Sequence, residues 1–488
     1  MEPNSDIMFQ TTGCTWLSPI SEILRLPLDQ VNFIMCQVFG LAAAFWFRLC
    51  LNPQRVSPGV RHAVATFLGA SIIIFCFGWY SSHVFILAVG SYIILCRASE
   101  HNVHWYLMIV AMGYLTVCQI SRVFIFNYGV LSTDFSGPVM MMVQKITTLA
   151  FQVHDGKCGK EDELNPEQRR LAVVTKPSLL EYLSYTLNFM SILVGPYTNY
   201  TDYIDFIEGR HVQSKLQNEP EQNGKNGLSE PSPLRPVCQK LLICVGCILW
   251  FFAITKTFPI SNNVDPQFIN ETSFISRLAY AFVSIQAARP KFYFAWTLAD
   301  AVHNAAGYGI SGLDKKGRVS WDLVSNIHIW EIETATSFKM FIDNWNIQTG
   351  VWLKSVCYDR APFFRTELTF VLSALWHGVY PGYYFTFLTG IPITFSARIM
   401  RRNFRHFFLH SRSLKLAYDV TTWAATQFGI CYTVMPFLVL AVEPTLIYYR
   451  SMYFHVHIIS ILIILVLPSR PKRSEEPARI SNNNVQGK

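Results

Sequence analysis

The sequence predicts an all-α polytopic membrane protein with roughly ten or eleven membrane-embedded helices, some of them re-entrant. Three observations carry this. Of 488 residues, 51% are hydrophobic and only 15% charged, where soluble proteins carry about 25% charge. Apolar runs near the bilayer-crossing length of about 20 residues recur at 31–51, 62–80, 81–97, 103–126, 179–196, 237–258, 274–300, 368–396, 417–442 and 446–467. The basic residues gather between those runs. Arg401, Arg402, Arg405, Arg412 and Lys415 form one group, and Arg470, Lys472 and Arg473 another. Positive-inside bias places both groups in the cytosol, with the two intervening spans as a hairpin turning near Glu443-Pro444. The net charge of +8 is thus a matter of topology and lipid headgroups, not of nucleic acid.

Residues 1–30 carry acids and prolines, with no basic stretch leading into an apolar one. The first span is therefore expected to act as its own targeting signal. Residues 31–467 read as one transmembrane unit interrupted by polar loops at 154–178 and 208–240. The first contains "KCGKEDELNPEQRR" and the second the Pro- and Gly-rich "NEPEQNGKNGLSEPSP", expected to be disordered. Both want the cytosol, yet only 179–196 separates them. Either that window is re-entrant or one loop breaks the charge rule. Asn199-Tyr-Thr and Asn270-Glu-Thr match the glycosylation sequon. Residues 468–488 read as a disordered cytosolic tail. The 12 cysteines are scattered, unlike a secreted disulfide framework. Cys244 and Cys247 read as small core residues of an apolar helix.

The segment 315–364 is too charged to cross lipid simply and too aromatic for a free loop. It is expected to lie at the interface or among other helices. Phe338, Ile342 and Trp345 share a helical face by spacing, and Asn344, Trp345 and Asn346 are its unusual part.

From Leu368 to Phe395 the one basic side chain is His377. A straight helix here would be about 42 Å long against a hydrocarbon core of about 30 Å. Gly378 and Pro381-Gly382 therefore mark a kink or an end. Irregular backbone at that depth survives only inside protein or beside a cavity, so His377 is expected to face inward. An intramembrane ionisable residue is a functional candidate by default, weighed against a buried histidine that merely bonds a carbonyl. His62, His83, His104 and His303 lie at span ends or beside polar neighbours, and His455 and His457 sit in the last span without a local break. No Cys, His or carboxylate stands at zinc-ligand spacing from His377, and no nucleophile-elbow or phosphate-loop motif occurs. A neutral imidazole can deprotonate a hydroxyl beside an activated acyl carbon, and an asparagine amide can hydrogen-bond the oxyanion. Asn346 is the candidate partner, on the ground that it lies in the anomalous polar segment.

"DNWNIQT" (343–349) followed by "LSALWHGVYPGYY" (372–384) resembles the Asn and His signature of the membrane-bound O-acyltransferases. "STDFSGP" (132–138), "LAFQVHDG" (149–156), "SLLEYLSYTLNFMSILVGP" (178–196) and "PKFYFAWTLADAVHNAAGYG" (290–309) extend the resemblance over nearly the whole chain. The detail is similar to the branch acting on lysophosphatidylserine and lysophosphatidylethanolamine. The resemblance implies a multi-pass enzyme of the endoplasmic reticulum with an intramembrane catalytic chamber. It implies His377 and Asn346 as catalytic residues, acyl-CoA as substrate, and neither metal nor cofactor. The acyl chain, oleoyl in expectation, would pass to the sn-2 hydroxyl of lysophosphatidylethanolamine, lysophosphatidylserine or lysophosphatidylcholine. Trp345, Trp376, Tyr380 and Tyr383 are candidates to line the chamber, with core packing as the alternative. Arg398, Arg401 and Arg402 are candidates for the CoA phosphates, with plain solvation as the alternative. A sterol or protein acceptor remains a rival reading, and a transporter a more distant one. Monomer and homodimer are equally compatible with the sequence.

Overall fold

The computed structural model describes residues 12–125, 134–159, 162–216, 231–255 and 257–469. Of the loop expected at 208–240, residues 217–230 lie outside them, and the described flanks are helical at His211–Leu216 and from Leu234 on; of the tail expected at 468–488, residues 470–488 lie outside them. Numbering only the helices used below, α1 is Leu28–Cys50, α2 Pro58–Phe77, α3 Ser82–Arg97, α4 Val103–Ile125 and α5 Ser136–Cys158. Next come α6 Leu179–Leu187, α7 Leu234–Thr255, α8 Phe274–Ala288, α9 Pro290–Ala305, α10 Phe338–Asn344 and α11 Ile347–Leu353. The last are α12 Arg365–His377, α13 Pro381–Phe404, α14 Arg412–Val439, α15 Val442–Ser451 and α16 His455–Val466. Among the described residues the one sheet is the two-stranded hairpin Gly312–Leu313 with Val319–Ser320.

Among the described residues, four stretches are long and apolar enough to cross a membrane: Leu28–Cys50, Pro58–Arg97, Val103–Phe124 and Leu234–Thr255. The pair α15 and α16, bent by 72°, makes a fifth if it is one span. The other expected windows fall on helices that are shorter, interrupted or more polar. The window 274–300 divides at Arg289-Pro290 into α8 and α9. Helices α13 and α14 have the length, 24 and 28 residues, and fall short on apolarity. A helix screened by protein need not be apolar all round.

Helix α5, absent from the expected windows, shows this best. Almost every residue from Ser136 to Val153 is buried, including Gln144, Lys145 and Gln152. Among the described residues no carboxylate pairs with Lys145. Its Nζ donates to Tyr185 O at 3.0 Å, Thr186 O at 3.3 Å and Ser191 Oγ at 2.6 Å. An ammonium has three donors, and all are used. Two of the acceptors belong to the last turn of α6, where positive charge is favourable.

The window 179–196 is not a crossing. Helix α6 has nine residues, about 13 Å, and is followed by irregular, buried chain. Arg170, before the window, pairs with Asp202, after it, at 3.0 Å, and Lys215 reaches the same carboxylate at 2.9 Å. Both ends of the segment therefore lie on one side, which favours the re-entrant alternative. Burial works to raise the Asp202 pKa, but Lys215 and Arg170 outweigh it and hold the carboxyl below its ordinary 3.8.

Two local expectations need revision, and the two sequons have different surroundings. Ile342 is 40% exposed, and the buried face of α10 is Phe338 and Phe341 with Trp345 beyond its end. The turn of the C-terminal hairpin falls at Leu440–Ala441, leaving Glu443-Pro444 in the first turn of α15. Asn199 has its side-chain oxygen occupied by Tyr197 Oη at 2.5 Å and Gln152 Nε2 at 3.2 Å. Asn270 is exposed. Cys244 and Cys247 are buried free thiols, as read.

Candidate functional site

The 368–396 window breaks where expected. Helix α12 ends at His377 because Gly378 takes φ 141, a conformation open chiefly to glycine. Tyr380 precedes Pro381, which opens α13; proline's fixed φ and missing N–H suit a first helical turn. A Cβ on Gly378 would stand 3.1 Å from Tyr383 Cε2, so the turn admits no side chain cheaply.

His377 is enclosed by rings. Its centroid lies 4.7 Å from Trp376, 5.1 Å from Phe387, 5.1 Å from Phe437 and 5.7 Å from Tyr383. The ring is turned toward α13 and α14, and the residue as a whole is half-buried. No described residue hydrogen-bonds either of its nitrogens. It is positioned through its neighbour: Trp376 Nε1 donates to Met140 O of α5 at 3.0 Å, and Gln119 Nε2 of α4 donates to Trp376 O at 2.9 Å.

Asn346 sits between two short helices. Ser337 caps α10 by accepting from Met340 N at 3.1 Å. Trp345 forms an antiparallel bridge with Ile327. Asn346 then turns left-handed, with φ 51 and ψ 50, which asparagine tolerates better than most residues. Asn326 fixes it. The Asn326 amide donates to Asn346 Oδ1 at 3.1 Å, its Oδ1 accepts from Gln348 N at 2.9 Å, and its carbonyl accepts from Ile347 N at 2.9 Å. With Oδ1 so engaged, the Asn346 amide NH2 is the end left to donate elsewhere. Behind this, Ser325 Oγ donates to Asp300 Oδ2 at 2.6 Å, and Lys240 pairs with Asp300 at 2.7 Å.

Both segments are bolted to one face of α5. Gln144 Nε2 donates to Thr349 Oγ1 of α11 at 2.9 Å, and Trp352 Nε1 of α11 donates to Thr147 Oγ1 at 2.9 Å. Met140, Gln144 and Thr147 follow the i, i+4, i+7 spacing of a single helical stripe. Trp352 also meets Trp376, with ring centroids 5.7 Å apart.

The remaining candidates divide. Trp376, Tyr380 and Tyr383 are buried at the break, and the Trp376 N–H is committed to Met140. Trp345 belongs to a different aromatic group, with Phe292 at 5.8 Å, Trp296 at 5.4 Å and Phe341 at 6.0 Å. Arg398 lies about 25 Å of helix beyond Pro381, over the Phe395 ring. Arg401 and Arg402 are exposed, and Arg402 donates to Ser469 O at 3.2 Å. The structure does not bring these arginines to His377. Among the described residues no group of three His, Cys, Asp or Glu side chains could hold a metal ion. Gln119, Arg122, Asn326 and Trp352 border the site and escaped sequence reasoning, because their partners are remote in the chain.

The profile of the membrane-bound O-acyltransferase family matches residues 93–439, a span holding both Asn346 and His377. Membrane-bound glycerophospholipid O-acyltransferase 1 of Mus musculus is 56% identical over 487 residues, 100% of this chain and 99% of that protein. Membrane-bound glycerophospholipid O-acyltransferase 2 of Homo sapiens is 51% identical over 479 residues, 97% and 92% of the two chains. Lysophospholipid acyltransferase 6 of Drosophila melanogaster is 38% identical over 477 residues, 96% of this chain and 65% of that one. An unbonded imidazole at a helix break, a fixed amide on the same strut and these likenesses agree: the chain belongs to the membrane-bound O-acyltransferase family and is an acyltransferase enzyme.

Proposed function

We propose that this enzyme transfers an acyl chain, oleoyl in the first instance, from acyl-CoA to the free sn-2 hydroxyl of a lysophospholipid in the endoplasmic-reticulum membrane. Lysophosphatidylethanolamine and lysophosphatidylserine are the preferred acceptors, with lysophosphatidylcholine behind them. The printed names of the relatives, glycerophospholipid O-acyltransferase and lysophospholipid acyltransferase, support the acceptor class.

In the proposed step a neutral His377 nitrogen accepts the hydroxyl proton as the oxygen attacks the thioester carbon. The Asn346 amide donates to the carbonyl oxygen as negative charge gathers there. The carbon–sulfur bond breaks, and the CoA thiolate takes the proton back from the imidazolium. One ester and one thiol replace one alcohol and one thioester, so the step balances without a metal, a further cofactor or a covalent acyl-enzyme. The observation that carries the reading is the His377 ring, enclosed by aromatic faces and with no hydrogen-bond partner for either nitrogen among the described residues.

The test is purified protein with labelled oleoyl-CoA and a panel of lysophosphatidylethanolamine, lysophosphatidylserine, lysophosphatidylcholine and a sterol. Product headgroup and acyl position are read by mass spectrometry. Diacyl product from wild type and almost none from His377→Ala is expected. Wild-type rates from the variant, or product on the sterol alone, would overturn the reading.

A further inference from the structure

Beside the His377 break lies a polar group that the proposed step does not use. Gln119 and Arg122 stand three residues apart on α4, hence on one face. They are 3% and 6% exposed. The Gln119 amide carbon would be 3.6 Å from a Cβ on Gly378, so it lies directly against the turn that presents the histidine. Its Nε2 is spent on Trp376 O, while its buried Oε1 has no hydrogen-bond partner among the described residues. Arg122 Nε pairs with Asp134 Oδ2 at 2.5 Å, and Asp134 is 5% exposed. The Arg122 guanidinium lies 5.7 Å from the Tyr380 ring centroid. Tyr380 meets Tyr383 at 6.0 Å, and Tyr383 meets His377 at 5.7 Å.

This is a costly arrangement. A fully buried ion pair recovers its desolvation penalty poorly, and apolar replacement is often neutral or stabilising. An orphaned buried carbonyl adds its own cost. Inside a membrane protein such groups mark function by default. The charges also have a natural complement. A lysophospholipid with a primary amine carries an anionic phosphate ester and an ammonium. A guanidinium fork matches phosphate, and a carboxylate and an amide oxygen both accept from the N–H groups of an ammonium.

We propose that Arg122, Asp134 and Gln119 form the headgroup subsite of the acceptor, Arg122 taking the phosphate ester, and Asp134 with Gln119 Oε1 taking the ammonium. On binding, the internal pair opens and each member takes its complement, so no net charge is buried. The proposal rests on the lysophospholipid reading above. Asp134 also accepts from Ser136 N at 2.7 Å, which holds its carboxylate in place and makes Asn its conservative replacement, since an Asn side chain makes the same bond to the backbone two residues on. A phosphate could instead come from CoA, and the measurements separate the two sources.

The experiment compares purified wild type, Arg122→Gln and Asp134→Asn. It measures kcat and KM for each lysolipid at saturating oleoyl-CoA, KM for oleoyl-CoA, and the melting temperature. Arg122→Gln should raise KM for every lysolipid by about tenfold or more while leaving KM for oleoyl-CoA near wild type. Asp134→Asn should raise KM for lysophosphatidylethanolamine and lysophosphatidylserine more than for lysophosphatidylcholine, whose quaternary ammonium offers no N–H. If Arg122→Gln does not fold, Arg122→Lys, which keeps the charge and loses the fork, carries the same measurement. A rise confined to KM for oleoyl-CoA assigns the pair to the donor and overturns the proposal. So does a lower melting temperature with every KM unchanged, which makes the pair a structural clip. Failure of wild type itself to acylate any lysolipid would sink the functional reading, whereas failure of the subsite alone shows only in the variants.

Discussion

His377 and His457 both stand beside helix breaks, the second a break that the sequence did not announce, and their surroundings differ in one respect. His457 lies at the start of α16, just past the 72° bend from α15. Both its nitrogens are bonded: Nδ1 to Tyr432 Oη at 2.8 Å and Nε2 to Thr389 Oγ1 at 3.0 Å. Tyr449 Oη meets the same Thr389 hydroxyl at 3.1 Å. That network ties α13, α14, α15 and α16 together. His377 meets aromatic faces and keeps its lone pair. A satisfied buried polar group stabilises a fold; an unsatisfied one beside a break is available for chemistry.

The comparison yields a graded set of outcomes. His377→Ala should lower kcat by about 10²–10⁴-fold with an unchanged melting temperature; a well-packed but active variant would erase the contrast. Asn346→Ala should cost about 10²–10³-fold in kcat. Asn326→Ala should cost less and act through Asn346, so adding it to Asn346→Ala should change little, as a double-mutant cycle would show. His457→Ala should do the reverse of His377→Ala. It takes the His457 partner from Tyr432 Oη and leaves Thr389 Oγ1 with Tyr449 alone, at about 1–3 kcal/mol of stability, lowering the melting temperature while the folded fraction keeps its kcat.

Asp202→Asn should destabilise at neutral pH and match wild type in strong acid. The native carboxyl titrates below its ordinary 3.8, so its contribution is full above the unfolded value and lost as pH falls through the native one. Melting curves from neutral pH downward would show the two proteins converge. The smallest effect belongs to Arg401→Gln with Arg402→Gln. Exposed charges contribute little, and about fivefold in KM for acyl-CoA is the upper expectation.

The break in the candidate site was legible in sequence because it is written in breakers. Gly378 and Pro381 announce the end of α12, and an imidazole in an otherwise apolar run announces itself. Asn346 was legible only as part of an anomalous segment. Its holder, Asn326, lies in another loop, and hydropathy says nothing about which amide meets which. The re-entrant segment needed the contact of Arg170 with Asp202 before the charge rule could be reconciled. Helix α5 was missed because the wrapping that lets it be polar is itself tertiary. The phenyl face of α10 was misread by one position, since Phe341 rather than Ile342 turns inward.

That wrapping of α5 bears on how the protein is made. A segment carrying Gln144, Lys145, Gln152 and Asp155 partitions poorly into hydrocarbon by itself, since charges at mid-bilayer are penalised. Its entry must be escorted: α4, ahead of it in synthesis, offers an apolar wall, but the acceptors that quench Lys145 emerge only with residues 185–191. Until those residues leave the ribosome, the strut that later holds the His377 and Asn346 segments lacks the partners that settle it.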